Sequence, residues 1–190
     1  MAKGKNFSCN NVGGKRRKSD LYETPYALTE LLLKNVTIQF PGPILEPACG
    51  NGAITKVLKE FCYEVVEYDQ ETNFFNETRH FHTIVTNPPY SLSYEFIQKA
   101  KTVCDEFFFL LPLSYLHGKK RFDDIYQDKN FPLRKIWVFT RYPMLGDPLR
   151  EDKLFRTGMM VYCFYHWDKS YGGEPTIGWL DNNEFVIRGK

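Results

Sequence analysis

The sequence lacks the marks of several protein classes. Its longest apolar runs, such as Phe107 to Leu111, fall far short of the roughly 20 residues that cross a bilayer, so no membrane partner is expected. No apolar leader follows the start, where residues 2 to 20 are basic and polar. The five cysteines (Cys9, Cys49, Cys62, Cys104, Cys163) are scattered and never spaced as CxxC. That speaks against a disulfide framework or a zinc site and for a reducing cytoplasm. His80, His82 and His117 have no motif around them and read as structural or surface residues. There is no internal repeat, and net charge is only +2.

What is present suits one globular domain: 190 residues, 43% hydrophobic and 25% charged. The charge is uneven. Residues 1 to 20 hold six lysines and arginines against one acid, leaving 19 cations and 22 acids in the rest. The sequence therefore divides into a basic, flexible N-terminal arm over 1–20 and a folded domain over 21–190. The arm suits a grip on phosphates, and a solvated tail of no specific role accounts for it equally well.

Along the folded part, Thr24 and Pro25 read as the cap and first residue of a helix over 25–35. Pro41-Gly42-Pro43 breaks the chain. Strands are then expected at 44–45, 63–68, 83–86, 107–111, 135–140 and 159–167, with helices at 53–61, 93–103 and 122–127. Strand and helix alternate over most of the chain, which predicts an α/β fold with a largely parallel sheet.

Ligands of open α/β sheets bind beyond the carboxyl ends of the strands, and three such ends carry unusual residues. The first is Gly50-Asn51-Gly52, whose glycines permit a sharp turn and a close ligand approach. A plain strand-to-helix turn explains them as well. Glu46, just before, offers a carboxylate to a cationic or N–H-bearing ligand. The second is Asp69, which suits ribose hydroxyls or, alternatively, is a surface charge in a turn. The third is Asn87-Pro88-Pro89-Tyr90. Two prolines remove two N–H donors and stiffen the loop, so it presents carbonyls and the Asn87 amide oxygen. Those acceptors suit an amine with two hydrogens, and Tyr90 offers a face for a planar base. A proline-stiffened turn is the plainer alternative.

With these residues, the chain resembles the amino-methylating, S-adenosylmethionine-dependent DNA methyltransferases, in particular the small N6-adenine enzymes of phages and prophages. The resemblance spans residues 20 to about 181 and rests chiefly on NPPY after Ile84-Val85-Thr86, then on EPACGNG over 46–52. It implies a Rossmann-like class I methyltransferase fold: three αβα layers and a mostly parallel seven-stranded sheet with an antiparallel last strand. It implies S-adenosylmethionine as cofactor, held by Tyr22, Thr24, Pro25, Glu46, Pro47, Ala48, Gly50, Asn51, Gly52, Asp69, Asn73 and Asn87. Glu46 is expected near the methionine amino group. Asn73 stands where the family often has Asp, and its amide oxygen can still accept from the adenine amine. Asn87, Pro88, Pro89 and Tyr90 are the implied catalytic residues, with no metal required. The implied partner is nucleic acid, DNA before RNA, with a monomer plausible. Lys119, Lys120, Arg121 and Arg141 are the expected contacts. No separate target-recognition domain is evident, so residues 112–134 and 141–158 are the loops available for specificity. NPPY enzymes acting on RNA bases or on a glutamine amide stay open, as do cytosine N4 methylation and an inactive scaffold.

Overall fold

The structure is a computed structural model and describes residues 22–36, 41–69 and 74–188. The basic arm expected over 1–20, and Asn73, lie outside the described residues.

In chain order the elements are α1 (Tyr26–Asn35), β1 (Ile44–Glu46), α2 (Ala53–Glu60), β2 (Val65–Glu67), β3 (Phe81–Thr86), α3 (Ser93–Val103) and β4 (Cys104–Pro112). A short α4 (Lys119–Arg121) passes into a π-helical turn over Phe122–Tyr126, and β5 (Leu133–Phe139), β6 (Tyr162–Asp168) and β7 (Thr176–Leu180) follow. The seven strands form one sheet in the order β2-β1-β3-β4-β6-β5-β7.

The sheet is buried on both faces because successive side chains point to opposite sides. Leu45, Ile84, Phe107, Phe109, Leu111, Cys163, Tyr165 and Trp167 pack on one side with Phe96, Ile97 and Ala100 of α3. Their neighbours Ile44, Val85, Phe108, Leu110 and Phe164 pack on the other with Leu28 and Leu32 of α1 and Ile54, Val57 and Leu58 of α2. This is the expected three-layer αβα arrangement. β4 sits at its centre, with every residue from Glu106 to Leu111 buried.

Strands β1 to β4 run parallel, with Leu45 opposite Ile84 and Thr86 opposite Phe109. β6 is antiparallel to both β4 and β5. The expected antiparallel strand is thus present, but it is sixth in the chain. A seventh strand follows it and pairs parallel with β5, Ile136 opposite Ile177. Sequence reading missed β7 because it is a short edge strand with a central Gly178 and Thr176, Ile177 and Trp179 exposed, so no hydrophobic alternation marks it.

One local expectation needs correction. The residue preceding α1 is Pro25, and no side chain caps the helix. The Thr24 hydroxyl instead accepts a hydrogen bond from Asn87 Nδ2.

Candidate active site

The carboxyl ends of β1, β3 and β4 lie side by side. β6, running the other way, starts with Tyr162 opposite Pro112 and so adds its first residue to the same edge. Glu46, the NPPY loop and Tyr162 therefore converge there.

The β1 turn uses both of its glycines: Gly50 has φ +51 and Gly52 φ +78, left-handed conformations that side chains resist. The turn closes with a hydrogen bond from Gly52 N to the Cys49 carbonyl, and Cys49 N donates to Tyr68 O at the end of β2. That link brings exposed Asp69 beside the turn. The Cys49 thiol is pushed up to about 11 by burial first, and then by the charges of Glu46, Glu67 and Asp69. Pro47 is buried, whereas Asn51 is exposed and donates to the Glu23 carboxylate.

Glu46 is fully buried. Its Oε1 accepts from the Thr86 hydroxyl and from Ala48 N, while its Oε2 is buried without a hydrogen-bond partner. Burial pushes the carboxyl up to about 8, against the lowering pull of the Thr86 and Ala48 hydrogen bonds.

On the neighbouring strand end, Asn87 Nδ2 donates to the Tyr22 carbonyl (2.9 Å) and to Thr24 Oγ1 (3.0 Å). Asn87 Oδ1 is buried and partnerless. Pro88 is buried, and the Pro89 carbonyl accepts from Leu92 N at 2.9 Å. Tyr90 stacks on Tyr22 (centroids 5.8 Å apart, 17° between planes) and on Tyr162 (5.9 Å, 24°).

The segment from Tyr22 to Pro25 therefore touches three parts of the site. It meets the β1 turn through Glu23 and Asn51, and the NPPY loop through Asn87 and Tyr90. Through the Glu23 carbonyl it also accepts from Gly146 N, in the loop between β5 and β6. Sequence reading grouped Tyr22, Thr24 and Pro25 with the cofactor residues, and it missed Thr86 and Tyr162. A hydroxyl directly before the loop was the available signal for Thr86. Nothing local marked Tyr162, which arrives by sheet pairing.

Lys119, Lys120 and Arg121 follow β4, flanking the amino end of α3. Lys120 Nζ sits 3.8 Å from the Tyr94 ring, Arg121 stacks on Tyr115, and Lys119 pairs with Asp123. Arg141 follows the carboxyl end of β5 on the same edge of the sheet, and its Nε donates to Asn183 Oδ1. It is three strand spacings from β3, about 14 Å.

A second polar cluster lies near the opposite end of the strands. His166 Nε2 is 2.9 Å from Glu106 Oε2, and Thr83 donates to Glu106 Oε1 at 3.0 Å. Asp168 pairs with Arg134 at 2.6 Å. The ligand atoms of Glu106, His166 and Asp168 lie within 4.8 Å of one another, but each is already committed to a protein partner. This geometry reads as a buried structural network. His80 and His82 lie at the start of β3, at the opposite end of that strand from the NPPY loop: His80 is paired with Asp105, and His82 contacts Thr83.

No profile of a known sequence family matches the chain, and no curated protein matches it. Solved structures do. The fold is that of class I methyltransferases. A Listeria monocytogenes protein described as a class I S-adenosylmethionine-dependent methyltransferase superposes with a TM-score of 0.60 at 14% identity, over 89% of this chain and 68% of that one. A type I restriction-modification methyltransferase subunit from Streptococcus thermophilus gives 0.59 at 10% identity, over 89% of this chain and 49% of that one. A Pyrococcus horikoshii protein described as an RNA methyltransferase gives 0.55 at 11%, over 84% and 92%. The chain spans about half the length of the restriction subunit.

Proposed function

We propose that the protein transfers a methyl group from S-adenosylmethionine to the exocyclic N6 amine of adenine in DNA, with residues 21–190 as one catalytic domain. The observation that carries this reading is the pair of buried, partnerless acceptors, Glu46 Oε2 and Asn87 Oδ1, at adjacent strand ends of a methyltransferase fold. A buried acceptor left without a donor costs free energy, so two at one cleft imply donors supplied by ligands. An ammonium and an aromatic amine fit those two places.

The cofactor supplies a methyl group already activated on a sulfonium. Glu46 Oε2 accepts from the cofactor's amino group, and Asp69 from its ribose. The turn over Pro47, Ala48, Gly50, Asn51 and Gly52 lets the backbone come close, and the Tyr22–Pro25 segment closes over the methionine end. Asn73 takes the adenine amine.

At the loop, the Asn87 amide oxygen and the Pro88 carbonyl accept the two amine hydrogens. The Pro89 carbonyl is already occupied by Leu92. Acceptors so placed favour a pyramidal nitrogen and stabilise the positive charge that grows on it during attack. Holding amine and methyl in line supplies much of the remaining acceleration. Tyr90 stacks on the base once it has left the duplex, replacing one of its two tyrosine neighbours.

RNA is the second reading. The Pyrococcus protein, matched over nearly its whole length, supports it, and the same acceptors serve an adenine or guanine amine in RNA. One experiment separates the readings. The protein is incubated with labelled cofactor and separate DNA, RNA and protein pools, and the modified nucleoside is identified by mass spectrometry. N6-methyladenosine in RNA alone would replace the DNA assignment. Failure to bind S-adenosylhomocysteine at millimolar concentration would leave only an inactive scaffold.

A further inference from the structure

An asparagine amide has two orientations of nearly the same shape, related by a half-turn, and hydrogen bonding alone separates them. For Asn87 the choice decides the chemistry, because only the oxygen can accept from an amine. Two acceptors face Asn87 Nδ2: the Tyr22 carbonyl at 2.9 Å and Thr24 Oγ1 at 3.0 Å. Turned over, Oδ1 would meet the Tyr22 carbonyl oxygen, acceptor against acceptor.

We propose that Thr24 is a positioning residue for Asn87, acting with the Tyr22 carbonyl to hold the amide so that Oδ1 is presented to the substrate amine. The inference rests on the amine-transfer reading and adds to it the group that orients the acceptor. Thr24 is 3% exposed, so water does not replace its hydroxyl at Nδ2. Its hydroxyl does not cap α1. The clamp joins residues 63 apart in sequence, and its segment is pinned on both sides by the hydrogen bonds of Glu23 to Asn51 and Gly146. The amide is therefore held by a segment that is itself hydrogen-bonded to two other loops.

The test compares Thr24→Val, which keeps the shape and removes the acceptor, with Thr24→Ser, which restores it. In Thr24→Val, kcat at saturating cofactor should fall about tenfold, the scale of one hydrogen bond. Tm should hold, affinity for S-adenosylhomocysteine by calorimetry should fall much less than kcat, and Thr24→Ser should return kcat to within about twofold of wild type. Unchanged kcat in Thr24→Val overturns the proposal. So does a loss matched by a loss of S-adenosylhomocysteine affinity, or a serine variant no better than valine. The Asn87 side-chain amide NMR signals read the clamp without turnover. They should shift and exchange faster with solvent in Thr24→Val, and unchanged signals overturn the proposal. A wild-type protein that methylates no amine would sink the amine-transfer reading, while these signals would still decide whether Thr24 holds Asn87.

Discussion

At the scale of single residues, Glu46 places stability and function in opposition. A carboxyl in an unfolded chain ionises near pH 4.5, and the buried one near 8. Between those values the folded state keeps a proton that the unfolded state has released, so stability falls as pH rises through that window. Glu46→Gln keeps an acceptor for Thr86 and removes the titration. It should gain about 1–3 kcal/mol over wild type at pH 8, and less at pH 5, as read by thermal melts. The same variant should lose at least about tenfold in S-adenosylhomocysteine affinity, because a charged partner for an ammonium is gone. Parallel melting curves for variant and wild type across pH 5 to 8 would show that Glu46 is not held protonated. Asn87 behaves differently, since its oxygen matters only when the amine is present. Asn87→Ala should abolish turnover with cofactor affinity nearly unchanged, and retained methylation would remove Asn87 from the mechanism.

At the scale of elements, the β1–α2 turn shows how a backbone conformation fixes a site. An added Cβ on Gly52 would meet no heavy atom within 4 Å, so the cost of Gly52→Ala is that of φ +78 alone. That is about 1–2 kcal/mol, and a domain of this size should lose about 2–8 °C in Tm. A neutral result would mean that the turn is not left-handed. The β4–β6 pair carries a second, pH-dependent term. His166 has its pKa lowered, by burial first, although its Glu106 hydrogen bond pulls the other way. The unfolded histidine protonates near 6.5 while the folded one resists, so this contribution is lost as pH falls below about 6.5. In denaturant titrations at pH 7.5 and 5.5, the stability of wild type relative to His166→Gln, which still donates to Glu106, should fall with pH, because the opposing Glu46 contribution is common to both. These elements also show what the sequence made legible. α3 was readable to the residue from its apolar spacing, and β1, β3 and β4 from apolar runs that end at turn residues. β7 was hidden because an edge strand has little burial to record. Glu46 and Asn87 were legible as polar residues at strand ends. The Thr24 clamp was not, because it depends on two segments 63 residues apart meeting in space.

At the scale of the whole molecule, the proposed nucleic-acid substrate would have to be held by a mildly acidic body, which calls for cations beside the site. Lys119, Lys120 and Arg121 follow β4 and Arg141 follows β5, on the edge of the sheet that also carries the NPPY loop. In the free protein these side chains rest on Tyr94, Tyr115, Asp123 and Asn183, contacts that phosphates would compete for. Exposed ion pairs and ring contacts are worth little each, so they can be exchanged at small cost. The two groups follow strands separated by β6, whose axes lie about 10 Å apart, and they share no contact residue, so their effects on binding should add. In fluorescence titrations with an oligonucleotide, Lys119→Ala with Lys120→Ala should lower the slope of log affinity against log salt by about 2, and Arg141→Ala by about 1. The combined variant should lose the sum, while S-adenosylhomocysteine affinity stays constant. A slope that survives all three substitutions would place the nucleic-acid path off this edge. Residues 1 to 20, which hold six lysines and arginines, would then be the next segment to test.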